Sequence, residues 1–235
     1  MKLLIYLFLI LCNAYAQEIA ERVVPITQEP SHHLVFENRY VRVFNVEVAP
    51  HFATRVHRHE HDYLFVTLGD SDVSNERVHE EPVELKLKDG ETHFTPGGFA
   101  HKAVNLADTP FHNITIEFVE PGLTNRAAEK TDVPITANSV GNLFADSQAF
   151  GKIRVHEGSF LNGEVSTCAG DHVAGPQLLV PVSQFFLRST TRKNQAAKPG
   201  DVMWLNAGDC ATVLTRGNFP ARFVIVSFPE ENPQK

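Results

Sequence analysis

Residues 57–63 read His-Arg-His-Glu-His-Asp-Tyr, with a histidine at every second position. In an extended strand, side chains two residues apart share a face about 7 Å apart at Cα, so His57 and His59 present two imidazoles to one side. Imidazole suits Zn, Cu, Fe and Ni, and two rings on one strand face need only a third from elsewhere to hold an ion. His101 is the candidate third, in the stretch Gly-Glu-Thr-His-Phe-Thr-Pro-Gly-Gly-Phe-Ala-His-Lys-Ala-Val-Asn over 90–105. Pro96 and Gly98 predict a tight turn before it, which would bring His101 in from another strand. His61 shares the parity of the pair if the strand runs straight, whereas Asp62 faces the same way only if the chain turns there. The fourth ligand is therefore open among His61, Asp62 and water. Isolated histidines are ordinarily surface or core residues, and His32, His33, His51, His79, His93, His112 and His156 read that way. Arg58 and Glu60 alternate away from the pair and read as solvated. Tyr63, Phe65 and Phe94 are candidates for a pocket wall, with core packing the expected role of the two Phe.

The elements that must position these rings read as strands. Residues 82–88 alternate strictly, with Val83, Leu85 and Leu87 on one face and Glu84, Lys86 and Lys88 on the other. Residues 113–118 do the same, and the pattern predicts Ile114, Ile116 and Phe118 to point inward. Runs at 40–48, 63–69, 152–155, 177–182 and 221–228 are further strands, separated by Gly, Pro, Asn and Asp clusters. Only 124–130 and parts of 136–150 have any helical character. Many short strands with regular turn signals predict an all-β sandwich or barrel.

The halves of the chain also resemble each other. Gly90 to Glu120 lies without gaps on Gly200 to Glu230, with Gly90/Gly200, Gly98/Gly208, Pro110/Pro220, Phe118/Phe228 and Glu120/Glu230 identical. These matches fall at turns and strand ends, where backbone geometry restricts the choice of residue. Val41-Arg42-Val43 likewise echoes Ile153-Arg154-Val155. Laying 62–69 on 177–184 puts Asp62 on Gln177 and His57 on His172. The pattern is that of a tandem duplication with a linker between the copies. The second copy has lost most of the chemistry: Ala211 stands for His101, Ala174 for His59, Pro176 for His61 and Asn206 for Pro96.

The spacing in 90–105 is Gly90, five residues, Pro96, one residue, Gly98, two residues, His101, three residues, Asn105. It resembles the second signature motif of the cupin superfamily at every defining position. The first cupin motif places a His-x-His pair, then a Glu after a short turn, then a Gly seven residues beyond the Glu. His57, His59 and Gly69 match it, but seven residues before Gly69 stands Asp62, and the gap after His59 is short. The resemblance implies two tandem jelly-roll β-barrels with few short helices: a metal-binding barrel over 17–125, a linker over 126–140 and a degenerate barrel over 141–235. It further implies one divalent transition metal (Fe, Mn, Zn, Cu or Ni) in the first barrel, held by His57, His59 and His101 with His61 or Asp62 as the alternatives for a fourth ligand. The function expected is a metal-dependent enzyme, dioxygenase-like, acting on a small organic molecule. The alternative is a non-catalytic module that binds a small ligand or metal, and a homodimer is open.

The ends and the composition bound the rest. Residues 1–16 carry Lys2, an apolar run from Leu3 to Leu11 and Ala14-Tyr15-Ala16, the pattern of a cleaved export signal too short to span a bilayer. The mature protein is expected to start near Gln17, to be periplasmic or secreted, and to have no membrane segment. Removing one Lys and no acid takes the formal charge from −7 to −8. An acidic chain without a Lys/Arg cluster is a poor nucleic-acid binder, since phosphate neutralisation dominates such affinity, and no nucleic-acid partner is expected. Cys168 and Cys210 remain after cleavage, and the sequence leaves open whether they pair or stay as buried thiols.

Overall fold

The structure is a computed structural model that describes residues 22–124, 144–161, 163–167, 175–189, 194–215 and 219–230, with 144–147 described by backbone alone. The first half forms ten strands: β1 (Val24–Pro25), β2 (His32–Glu37), β3 (Val41–Val48), β4 (His57–His59), β5 (Tyr63–Thr67), β6 (Ser71–Arg77), β7 (Val83–Leu87), β8 (Thr92–Thr95), β9 (Phe99–Asn105) and β10 (Phe111–Phe118). They make two five-stranded sheets, ordered β1-β4-β9-β6-β7 and β2-β3-β10-β5-β8. The second half adds β11 (Phe144–Phe150), β12 (Ile153–Phe160), β13 (Gly163–Ser166), β14 (Gln177–Pro181), β15 (Phe185–Ser189), β16 (Gln195–Ala197), β17 (Met203–Leu205), β18 (Ala211–Thr215) and β19 (Ala221–Ser227). Their sheets run β11-β12-β19-β14-β17 and β13-β18-β15-β16, the order of the first half with no described strand in the place of β1. The protein is thus all-β, two tandem jelly-roll barrels. A single 3-10 turn, Ile26–Gln28, is the helical content of the described residues, and none of their helices is long and apolar enough to cross a membrane.

Equivalent turns confirm the repeat. Gly90 and Gly200 have φ of 82° and 92°, and Gly98 and Gly208 have 89° and 79°. This left-handed backbone disfavours any residue with a Cβ, which is why glycine stands at both copies. Two expectations need correcting. The stretch 144–150, given some helical character above, is strand β11 paired with β12; residues 125–143, and with them the expected linker 126–140, lie outside the described residues. The register of the repeat is also shifted by one residue at the start of β5. Glu117 pairs with Tyr63 and Ser227 pairs with Gln177, so Gln177 is the counterpart of Tyr63 and not of Asp62.

The two barrels meet through their sheets. Val41, Val43, Leu64, Val66, Ile114, Ile116 and Phe118 from the first half form one apolar cluster with Ile153, Val155, Leu178, Val180, Val224, Val226 and Phe228 from the second. Ile114, Ile116 and Phe118 therefore face the seam between barrels, and the inward face of β10 is Phe111, Asn113, Thr115 and Glu117. Alternation told the two faces apart, but both are buried, so polarity did not mark which one looked into the barrel. Polar ties flank the seam: the Arg222 guanidinium donates to the Asp89 side chain and carbonyl, and the Thr92 hydroxyl donates to Glu157 at 2.7 Å.

Ile116 is fully buried in this seam. Replacing it with Ala is expected to lower unfolding free energy by about 2–5 kcal/mol in chemical denaturation. Metal stoichiometry of the folded fraction should not change, because the side chain points away from the histidines.

Candidate metal centre

Strand β4 is three residues long and carries the histidine pair between β1 and β9. Its register sets His57 directly opposite His101 and His59 opposite Phe99. The turn at Pro96–Gly98 fixes that register by docking on the end of β4. The Gly98 N–H donates to the His59 carbonyl at 2.7 Å and the Gly97 N–H donates to Asp62 Oδ1 at 2.8 Å. A Cβ on Gly97 would sit 2.2 Å from the His61 carbonyl oxygen, so no other residue fits this approach. Asp62 Oδ2 accepts from the Thr124 hydroxyl at 2.7 Å. Both Asp62 oxygens are thus engaged, one by the turn before β9 and the other by the segment that follows β10.

The structure brings His57, His59 and His101 together and leaves His61 and Asp62 out. The ring centroids of His57 and His59 are 5.1 Å apart, those of His57 and His101 4.5 Å, and those of His59 and His101 5.2 Å. All three are buried. They line a cavity of about 210 Å³ inside the first barrel, with an apolar floor of Val73, Leu85, Leu87 and Phe111; neither His61 nor Asp62 lines it. His32, read above as an ordinary surface or core residue, joins the cluster. One ligand atom from each of His32, His57 and His59 falls within 4.8 Å of the others. No spacing rule connects β2 to β4, and only the packing of one sheet over the other shows this neighbour.

Oxygen acceptors fix the rings. His57 Nδ1 lies 2.9 Å from the Arg55 carbonyl and His101 Nδ1 lies 2.7 Å from Asn75 Oδ1. An oxygen of this kind accepts, so each Nδ1 carries the proton and each Nε2 keeps a bare lone pair. Those two Nε2 atoms are buried without any hydrogen-bond partner. His59 Nδ1 lies 3.3 Å from Glu117 Oε1 in a geometry that makes no hydrogen bond, and both atoms are unpartnered. Tyr63, the first strand residue after the turn, stacks on His59 at 4.0 Å and 17°. Glu117, Asn75 and His32 carried no motif in the sequence. For Glu117 the available signal was the shared parity with Asn113 and Thr115.

Burial governs the charges. It lowers His57 from the ordinary 6.5 to about 4, helped by the neighbouring His32, while the Arg55 carbonyl works against the shift. Burial and the other imidazoles hold His59 and His101 well below their usual value. Desolvation raises Glu117 to about 7, opposed by Arg42, whose Nη1 comes only to 3.5 Å. Burial raises the Tyr63 phenol to about 12. At neutral pH His57, His59 and His101 are uncharged nitrogen donors, the form that binds a cation.

The second barrel shows the same frame without the donors. Ala211 stands where His101 does, Ser227 replaces Glu117 and Gln177 replaces Tyr63. The Thr167 N–H donates to the Ala211 carbonyl, so Thr167 takes the place of His57; His172 and Ala174 lie outside the described residues. Phe223, the counterpart of Asn113, fills the interior with Leu179, Leu187, Met203 and Ile225. It fits because a Cβ on Gly158 would lie 2.4 Å from its ring. Cys210 is disulfide-bonded, and Cys168 lies outside the described residues.

The sequence matches no protein-family model and no curated protein. Solved structures are similar at low identity. AerE from Microcystis aeruginosa aligns with a TM-score of 0.60 at 11% identity, over 86% of this chain and 99% of its own. A cupin 2 conserved barrel domain protein from Leptotrichia buccalis gives 0.54 at 9%, over 84% and 88%. A point mutant of Bacillus subtilis oxalate decarboxylase gives 0.54 at 10%, over 83% and 70%. At these identities the likeness is one of fold, and the fold is that of the cupins.

Two measurements check the site. Asp62→Ala is expected to cost about 1–3 kcal/mol through its lost hydrogen bonds while metal stoichiometry is kept; loss of the metal in a folded Asp62→Ala protein would restore Asp62 as a ligand. In metal-free protein, His57 is depressed from 6.5 to about 4, so the unfolded chain takes up its proton first as pH falls. Its stabilisation, present above pH 6.5, is lost by roughly 3 kcal/mol on reaching pH 4. His59 and His101 act in the same direction, and raised Glu117 acts oppositely between its unfolded value of 4.5 and about 7. Denaturation midpoints should therefore fall on acidification from pH 7 to 4, and fall more steeply in Glu117→Gln.

Proposed function

We propose that the first barrel holds one divalent transition metal through His57, His59 and His101 and acts as a metal-dependent, dioxygenase-like enzyme on a small organic molecule, in a protein exported from the cytoplasm. The observation that carries the reading is the pair of buried, unpartnered Nε2 atoms on His57 and His101 at the wall of an interior cavity. Unpaired polar atoms out of water cost about 1–3 kcal/mol each, and a bound cation would satisfy both at once. A divalent ion there would supply Lewis acidity and open positions for substrate and O₂.

The chain's own residues do the rest. Arg55 and Asn75 hold the tautomers that keep Nε2 free. Val73, Leu85, Leu87 and Phe111 exclude water and accept the apolar part of a substrate, while Asn113 and Thr115 offer it polar contacts. Tyr63 stays protonated through the neutral range and can donate a hydrogen bond. Glu117, with its carboxyl near 7, can take or give up a proton beside His59. The cavity admits a molecule of a few carbons, a size class that also includes the substrate named by the oxalate decarboxylase among the similar structures.

Purified protein is expected to carry about one equivalent of metal per chain, which His101→Ala removes. The loaded protein should consume O₂ with at least one member of a panel of small organic acids, enols and phenols. N-terminal sequencing of exported protein should begin near Gln17. Wild-type protein without metal would overturn the reading. Metal with ligand-induced thermal stabilisation but no turnover would point instead to a ligand-binding module.

A further inference from the structure

We infer that His32 is a fourth ligand of the same ion, making an all-imidazole set, and that buried Glu29 is the positioning residue that aims it. The inference rests on the metal reading of the first barrel. His32 lines the cavity, and its ring lies 4.6 Å from that of His57 and 6.2 Å from that of His59. The His57 ring is thus about as close to that of His32 as to that of His101, which lies 4.5 Å away. Among the described residues, His32, His57 and His59 form a group whose ligand atoms all lie within 4.8 Å of one another.

The ring of His32 is held by the same device as its neighbours. Its Nδ1 lies 2.7 Å from Glu29 Oε2, which leaves Nε2 as the atom free to ligate. Glu29 is itself fixed: Oε2 also accepts the Ser31 N–H at 2.7 Å, and Oε1 accepts the Arg55 N–H at 3.2 Å. Arg55 is the residue whose carbonyl orients His57. One backbone unit therefore aligns two rings, its N–H through Glu29 to His32 and its carbonyl directly to His57. The side chains of His32 and Glu29 are 6% and 2% exposed, so this is a built part of the interior.

Four imidazole nitrogens define the ion by class. Mg²⁺, Ca²⁺ and Mn²⁺ favour oxygen ligands, whereas imidazole favours Zn²⁺, Cu²⁺, Ni²⁺ and Fe²⁺. The carboxylates of this site, Glu29 and Glu117, stand behind histidines and balance the ion's charge without joining its coordination shell.

The test titrates metal-stripped mature protein with Zn²⁺ against a competing chelator and records electron-spin-echo spectra of the Cu²⁺-loaded form to count imidazoles. Variants are His32→Gln, His32→Ala, Glu29→Ala and His57→Ala, each first shown to be folded without metal by circular dichroism. Glu29→Ala is expected to weaken Zn²⁺ by roughly 10–100-fold without changing which metals bind. His32→Gln should weaken it more and remove one imidazole from the Cu²⁺ spectrum. Glutamine preserves size and can still donate to Glu29, so it decides the matter if the alanine variant fails to fold. Wild-type Zn²⁺ affinity and an unchanged spectrum in His32→Gln, with uptake abolished in His57→Ala, would overturn the role of His32 and leave the metal reading standing. A wild-type protein that takes up no Zn²⁺ or Cu²⁺ would overturn both.

Discussion

Imidazoles packed together out of water face a constraint that orders the rest of the first barrel. Each neutral ring has one donor and one acceptor nitrogen, and burial leaves no solvent to satisfy either. The protein supplies oxygens to the donors of His32, His57 and His101 from Glu29, Arg55 and Asn75. It supplies nothing to the acceptors of His57 and His101. Protonation would meet that need only by placing like charges a few ångströms apart, which is why burial and mutual repulsion push His59 and His101 toward the uncharged form. A cation shared among the rings would resolve the conflict, and the surrounding shell leaves the acceptors of His57 and His101 open to one.

The shell depends on two turns that grip each other. The turn after β4 and the turn before β9 are joined by the Gly98 to His59 and Gly97 to Asp62 hydrogen bonds. Because His57 and His101 lie opposite each other in the ladder next to this joint, the ring separation is set by backbone geometry and not by flexible side chains. On the other side, β10 presents Glu117 and Thr115 to the interior while its opposite face is locked into the seam between barrels. The site is therefore held by the sheet on one side and by the turn pair on the other.

Much of this was legible in the sequence, for identifiable reasons. Period-two alternation marked the strands, and the spacing from Gly90 to Asn105 marked the turn that delivers His101. What stayed hidden depended on contacts between sheets. His32 sits on a strand far from β4 in sequence, beside a second histidine of opposite parity, and nothing local separates the one that enters the cavity from the one that does not. Asp62 looked eligible by its count from Gly69, yet the chain turns there and directs it to Gly97. The face of β10 was assigned the wrong way round because hydrophobicity marks burial and does not say against what. Glu117 was overlooked with it, as the polar member of the face that looks inward.

The packed interior of the second barrel has a meaning for how this chain can vary. Phe223, seated over Gly158, packs the described interior of that copy with apolar side chains, and its sheet is the backing against which the hollow copy rests. A hollow barrel is poorly braced from within, since a cavity lacks the contacts that a core would make. The other copy braces it from outside through the shared seam. Substitutions in the C-terminal interior then bear on packing, whereas those in the N-terminal interior bear on packing and on the histidine-lined cavity together. A lineage carrying such a pair can explore new chemistry in one copy while the other keeps the molecule folded.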